Sequence, residues 1–77
     1  MKIKVVVTLK KGVLDPQGKA IQQTLNGMGF SEVNEVRQGK YFDIEVSETD
    51  ENKAKSKVDE MCKKLLTNLV IEDYKIL

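Results

Sequence analysis

The stretch KGVLDPQG (Lys11–Gly18) joins a β-branched apolar run to a segment with helical periodicity. Gly12 supplies the backbone freedom needed to leave a strand. Asp15 suits the helix N-cap, because its carboxylate accepts unpaired N–H groups and lies at the positive end of the helix dipole. Pro16 suits the first helical position, where a missing N–H costs nothing. The stretch therefore predicts a strand-to-helix joint with the helix beginning at Pro16.

Gly18 falls in the first turn of this helix, where glycine is disfavoured by about 1 kcal/mol relative to alanine. A second backbone segment or a ligand that passes close to the turn would require a glycine, because glycine has no Cβ. A glycine that is merely tolerated is the other interpretation. The sequence leaves both open.

Periodic segments lie on both sides of the joint. Alternation of apolar and polar residues predicts a strand over Lys2–Lys10. Its inner face carries Ile3, Val5, Val7 and Leu9. After the joint the period becomes 3.6, which predicts a helix. Its apolar stripe carries Ile21, Leu25 and Met28. Gly29 is the better candidate for the left-handed residue that ends this helix.

A second extended region is predicted over Val33–Val46, with a break near Gln38-Gly39. Its later half alternates clearly, whereas its earlier half offers only two apolar residues. The region is either a hairpin that turns at Gly39 or one long strand bent there by a bulge. A long strand would project beyond the sheet and favour pairing with a second copy of the chain.

A second helix is predicted to begin in the acidic, cap-rich stretch Ser47–Glu51 and to end at Thr67-Asn68. Its predicted apolar stripe carries Ala54, Val58, Met61, Leu65 and Leu69, widened by Cys62 and Leu66. A closing strand is predicted over Val70–Leu77. Two helices on one face of a small antiparallel sheet form a ferredoxin-like, split βαβ sandwich. The predicted fold class is therefore α+β, with residues 1–77 as a single domain.

Composition narrows the possible functions. Thirteen Lys and Arg against twelve Asp and Glu give a formal charge of +1, without the basic excess of a nucleic-acid-binding protein. A chain of this length buries only about 60% of its unfolded surface, so surface from a partner is an expected source of stability. The single cysteine, Cys62, cannot form an internal disulfide. No apolar stretch approaches the length of a membrane span, which indicates a cytoplasmic protein.

Residues with catalytic chemistry are few. The sequence has no histidine, so general acid–base catalysis would need a strongly shifted carboxylate or lysine. Capping keeps Asp15 ionised, and Cys62 lies on an apolar stripe without an activating partner. Lys10-Lys11-Gly12 is a weak anion cradle, because Asp15 would repel a phosphate there. We therefore expect no catalytic, cofactor-binding or metal-binding residue in this chain.

The chain resembles the PurS family along nearly its whole length. The first matching stretch is Lys10–Gly18, in which the Leu-Asp-Pro-Gln-Gly run is the most specific part. The remaining matches are Ala20-Ile21, Val36-Arg37, Gly39-Lys40, Met61–Leu66, Asn68 and Val70–Tyr74. This family supplies the small subunit of phosphoribosylformylglycinamidine synthase.

The resemblance implies a non-catalytic subunit of a ligase complex in de novo purine biosynthesis. It implies a homodimer, or a tetramer, that joins a large synthetase subunit, PurL, to a glutaminase subunit, PurQ, and assists the transfer of ammonia. ATP, Mg and glutamine would be used by those partner subunits, not by this chain. The resemblance implies no nucleic-acid or membrane partner.

The resemblance also suggests where partners bind. The interface candidates are Lys11, Gly12, Asp15, Pro16 and Gly18 at the joint, and Arg37, Gly39 and Lys40 at the later turn. A solvated turn is the alternative for the second group. A small-molecule-sensing regulatory domain has the same order of elements and is the alternative function. An acylphosphatase-like enzyme would need an arginine in the first loop, and an RNA-binding domain would need aromatic residues on its middle strands.

Overall fold

The computed structural model describes all residues from Met1 to Leu77. Its helices and strands follow one another as β1 (Lys2–Leu9), α1 (Pro16–Gly27), β2 (Gly39–Glu45), α2 (Glu51–Met61) and β3 (Glu72–Ile76). A π-helical segment, Cys62–Leu66, continues α2. The predicted order of strand, helix, strand, helix, strand is therefore the observed one.

The three strands form one antiparallel sheet in the order β2-β1-β3. Val5 of β1 lies opposite Phe42 on one side and Ile76 on the other. Directly opposite residues in an antiparallel pair point to the same face. The alternating apolar residues of all three strands therefore form a single apolar face, with β1 at its centre.

The core lies between this face and α2. Its six buried apolar residues are Ile3, Val5, Val7, Ala54, Val58 and Cys62. The three helical members are spaced four residues apart, which places them in one row along the side of the helix that faces the sheet. Around them pack the partly buried residues Phe42, Ile44, Val46, Leu66, Tyr74 and Ile76.

Part of the stripe predicted for the second helix is wrong. Met61, Leu65 and Leu69 are 38%, 82% and 49% exposed. The row of residues through Val58 and Cys62 faces the sheet, so the positions of the three exposed residues are turned away from it. Cys62 itself is confirmed as a buried apolar residue.

The predicted start of the closing strand is also wrong. Val70 is 82% exposed and lies in a turn, and β3 begins at Glu72. The N–H groups of Ile71 and Glu72 both donate to the carbonyl of Asn68. This turn uses those N–H groups, so Val70 and Ile71 lie outside the strand, and pairing with β1 begins where the carbonyl of Ile71 accepts the N–H of Lys10.

The middle segment forms neither the hairpin nor the long strand that the sequence allowed. Only Gly39–Glu45 is a strand, and residues 33–38 belong to no helix or strand. The pairing of β2 with β1 begins at Gly39, which lies opposite Thr8 near the end of β1, so residues 33–38 run past the end of β1 and have no sheet partner in this chain. The outer edge of β2 also has no neighbouring strand. The break near Gln38-Gly39 is confirmed.

The first helix projects away from the rest of the chain. Its N-cap at Asp15 and the left-handed Gly29, with φ +103°, are as predicted. Gly18 is its only buried residue, and it has no extensive contact with any other helix or strand. The radius of gyration is 16.0 Å and the longest dimension 49 Å, whereas a compact chain of this length has a radius of gyration of about 11.5 Å. We call residues 16–38 the arm, and the three strands with α2 the body.

Candidate functional site

The arm meets the body at the strand-to-helix joint, where one carboxylate holds both ends of the arm. Asp15 Oδ1 accepts the N–H of Gly18 at 2.8 Å, which caps the start of α1. Asp15 Oδ2 accepts the N–H of Gln38 at 2.7 Å, where the chain returns to the sheet. Asp15 is only 7% exposed. The side chain therefore closes the arm into a loop.

These two hydrogen bonds set the protonation state of the site. The N–H of Gln38 is the main cause that holds the pKa of Asp15 below its usual range, followed by the N–H of Gly18. The positive charge of Arg37 lowers this pKa further. Asp15 is therefore an ionised hydrogen-bond acceptor at neutral pH, and it has no proton to give to a substrate.

The glycine in the first turn of α1 is required by a second backbone segment. A Cβ built on Gly18 would overlap the carbonyl oxygen of Val36 and the carboxyl group of Asp15. Of the two interpretations that the sequence left open, the close approach of another segment is the observed one. Gly12 has φ +85° with open space around it, so its role is the turn that follows β1.

Arg37 connects the returning end of the arm to the joint. Its Nη1 donates to the carbonyl of Val13 at 3.1 Å, and its Nη2 donates to the carbonyls of Lys10 at 3.0 Å and Leu9 at 3.4 Å. These acceptors lie at the end of β1 and in the loop after it. We call the group of Asp15, Gly18, Val36, Arg37 and Gln38 the clasp.

The structure brings most of the sequence-predicted interface candidates to this place. Asp15, Gly18 and Arg37 belong to the clasp, Gly12 and Pro16 adjoin it, and Gly39 begins the strand that leaves it. Lys40 turns toward the body, where its Nζ lies 3.6 Å from Glu72. Lys11 is exposed on the loop. Whether a partner contacts any of these residues stays a prediction.

A shallow cleft of about 170 Å³ opens beside the clasp. It is lined by Val7, Leu9, Asp15, Gln17, Gln38, Gly39, Lys40 and Glu72. Its carboxylates already accept hydrogen bonds or ion pairs from the chain: Asp15 from two N–H groups, and Glu72 from the N–H of Asn68 and from Lys40. No three His, Cys, Asp or Glu side chains lie close enough together to hold a metal ion.

The apolar stripe that the sequence predicts on the first helix lies open along the arm. Ile21 is 42% exposed, Met28 68% and Phe30 47%. Ala20, Ile21, Thr24 and Leu25 line a groove in this surface. The periodicity of the stripe is visible in the sequence, but no local signal tells whether its own sheet or a second chain covers it. We call Ile21, Leu25, Met28 and Phe30 the arm stripe.

A separate polar contact fixes α2 on the sheet. The hydroxyl of Tyr74 donates to Asp59 Oδ1 at 2.5 Å, and Lys63 Nζ lies 3.0 Å from Asp59 Oδ2. The hydrogen bond from Tyr74 is the main cause that lowers the pKa of Asp59, and it raises the pKa of Tyr74. The ion pair with Asp59 raises the pKa of Lys63.

No helix of the chain is both long and apolar enough to span a bilayer.

Comparison with known proteins places this architecture in a family. A family model described as "PurS: Phosphoribosylformylglycinamidine (FGAM) synthase" matches residues 2–77. The chain belongs to the PurS family. The PurS subunit of phosphoribosylformylglycinamidine synthase from Methanocaldococcus jannaschii is 52% identical over 75 residues, which are 97% of this chain and 90% of that protein. The PurS subunit from Bacillus subtilis is 50% identical over 74 residues, which are 96% of this chain and 87% of that protein.

Solved PurS structures agree with the fold. The crystal structure of Methanocaldococcus jannaschii PurS superposes with a TM-score of 0.88 at 53% identity, covering 99% of this chain and 92% of that one. A chain in the structure of PurLQS from Thermotoga maritima gives a TM-score of 0.91 at 32% identity, covering 99% of this chain and 93% of that one. The predicted α+β, ferredoxin-like fold class is confirmed by these structures, although within the single chain only α2 has extensive contact with the sheet. As a PurS protein, the chain is a subunit of phosphoribosylformylglycinamidine synthase, a ligase complex of purine biosynthesis, as its resemblance implied.

Proposed function

We propose that this chain is the non-catalytic assembly subunit of the synthase. In this role it forms a homodimer through its arm and joins a synthetase subunit, PurL, to a glutaminase subunit, PurQ. The structure of PurLQS from Thermotoga maritima, in which a similar chain occurs, supports these partners. The observation that carries the proposal is the projecting arm, whose apolar stripe is open in the single chain.

The chemistry of the side chains supports a non-catalytic role. Asp15 is held ionised by two backbone N–H groups. Burial raises the pKa of the Cys62 thiol, which keeps it protonated and unreactive. The Asp15 carboxylate therefore serves to hold two backbone segments together, and the Cys62 thiol serves as a buried core group.

Two features support a homodimer. The arm stripe needs an apolar cover, since exposed apolar clusters of this kind mark interaction sites. The outer edge of β2 lacks a neighbouring strand, and such an edge accepts a strand from another chain. A second copy of the chain meets both needs. Its arm stripe covers the arm stripe of the first copy, and its residues 33–38, which have no sheet partner in their own chain, pair with the outer edge of β2.

The same proposal assigns the ligands of the reaction to the partners. ATP, Mg and glutamine bind PurL and PurQ, and this subunit assists the transfer of ammonia from the glutaminase to the synthetase by keeping the two in place. We propose that the complex works in the cytoplasm, where a free thiol such as Cys62 stays reduced.

The test compares two nitrogen sources. PurL and PurQ are mixed with and without this protein, and conversion of formylglycinamide ribonucleotide is measured with glutamine and, as a control, with ammonium chloride. We expect the glutamine-dependent activity to require this protein and the ammonia-dependent activity of PurL to be nearly independent of it. An unchanged glutamine-dependent rate, together with separate elution of this protein from PurL and PurQ, would contradict the proposal. Thermal stabilisation by amino acids or nucleotides would then test a sensing role.

A further inference from the structure

The arm has no support along its length and is fixed only at its base. No strand makes extensive contact with α1, and its only buried residue, Gly18, lies in its first turn. The hydrogen bonds of Asn26 to the carbonyls of Phe30 and Val33 hold the far end of the arm to itself and not to the body. The direction of the arm therefore depends on the contacts of the clasp.

The clasp holds the two ends of the arm against each other and against the body. Asp15 binds the N–H groups of Gly18 and Gln38, and the absence of a Cβ on Gly18 lets the carbonyl of Val36 lie against the helix. Arg37 then donates to three carbonyls at the end of β1 and in the following loop. A planar guanidinium with fixed donors restrains direction more strongly than a single flexible ammonium.

We propose that the clasp sets the angle at which the arm leaves the body, with Arg37 as a positioning residue for dimerisation. This inference rests on the proposed homodimer. The twelve residues of α1 form a helix about 18 Å long at 1.5 Å per residue, so a tilt of about 10° at the base moves its far end by about 3 Å. A displacement of that size separates apolar side chains that must lie within about 4.5 Å to be in contact. The clasp thus governs the affinity between two copies without itself being part of the apolar contact.

The experiment measures dimer dissociation and local protection in the full chain. Arg37→Ala removes the guanidinium, Arg37→Lys keeps the charge without the planar fork, and Lys53→Ala is the control, because Lys53 is an exposed cation on α2 of the body. Sedimentation equilibrium gives the dissociation constant of each variant. Hydrogen exchange followed by NMR reports the N–H groups of Gly18 and Gln38 in the clasp and those of β1 in the core.

We expect Arg37→Ala to raise the dissociation constant at least tenfold and Arg37→Lys to raise it at least threefold, with Lys53→Ala unchanged. The N–H groups of Gly18 and Gln38 should exchange faster while those of β1 stay protected. If Arg37→Ala does not fold, Arg37→Lys decides the outcome in the same direction. An unchanged dissociation constant overturns the inference, and so does a weaker dimer with fully protected clasp N–H groups, since Arg37 would then act by touching the partner. A wild-type protein that is monomeric at all concentrations overturns the homodimer itself and is recognised before any variant is compared.

Discussion

Truncation of Ile21 on the arm stripe should weaken the dimer by an amount that can be worked out from its exposure. Ile21→Ala removes three carbon atoms, each worth about 0.8 kcal/mol when fully buried. Ile21 is 42% exposed in the single chain, so covering that part contributes about 1 kcal/mol per copy. A symmetric dimer uses the residue twice. The dissociation free energy should fall by about 2 kcal/mol, which raises the dissociation constant about thirtyfold.

The assay is sedimentation equilibrium over a range of protein concentrations, with Gln23→Ala as the matched control. Gln23 lies two positions after Ile21 and therefore on the opposite side of α1, where it is exposed. Both variants place alanine, the strongest helix former, in the same helix. Equal dissociation constants for Ile21→Ala and Gln23→Ala would refute the reasoning, because the arm stripe would then lie outside the interface.

The remaining predictions concern the body. Val58→Ala removes two carbon atoms from a side chain with no exposed surface. This loss should destabilise the fold by about 2–3 kcal/mol and lower Tm by about 10–20 °C. Calorimetry that shows no larger fall in Tm than in Lys53→Ala would contradict this prediction. The lowered pKa of Asp59 means that its ionised form stabilises the fold above about pH 4 and that this stability is lost as the pH falls below that value. Tyr74→Phe removes the main cause of that shift, so its urea midpoint should vary less with acid pH than that of the wild type. Parallel curves for the two proteins would exclude this role of the Tyr74 hydroxyl.

Features that depend on a few neighbouring residues were predictable from the sequence. Asp15 and Pro16 specify the start of α1 because capping and the fixed φ of proline act within one helical turn. The face of β1 that enters the core follows from strict alternation through Val5 and Val7. The Leu-Asp-Pro-Gln-Gly run within Lys11–Gly18 carried the resemblance to the family that the comparisons then established.

The extent of β3 and the buried side of α2 could not be predicted correctly from the sequence. Val70 has a high strand propensity, yet hydrogen bonds to the carbonyl of Asn68 use the N–H groups that follow it and delay the strand. Leu65 belongs to an apolar stripe by spacing, yet the row through Val58 and Cys62 is the one that meets the sheet. Both outcomes depend on which surface lies opposite, and that surface is remote in sequence.

At the candidate site, too, local features were predictable from the sequence and contacts between distant segments were not. The sequence offered a close neighbour at Gly18 as one of two interpretations, because a glycine in the first turn of a helix is costly. Only the tertiary structure decided that this neighbour is the backbone at Val36 and that Arg37, more than twenty positions after Leu9 and Val13, binds their carbonyls. Local periodicity can specify that the arm stripe is apolar, but which surface covers it depends on where the chain directs α1. That direction is set by hydrogen bonds between segments distant in sequence, which no pattern within a single segment contains.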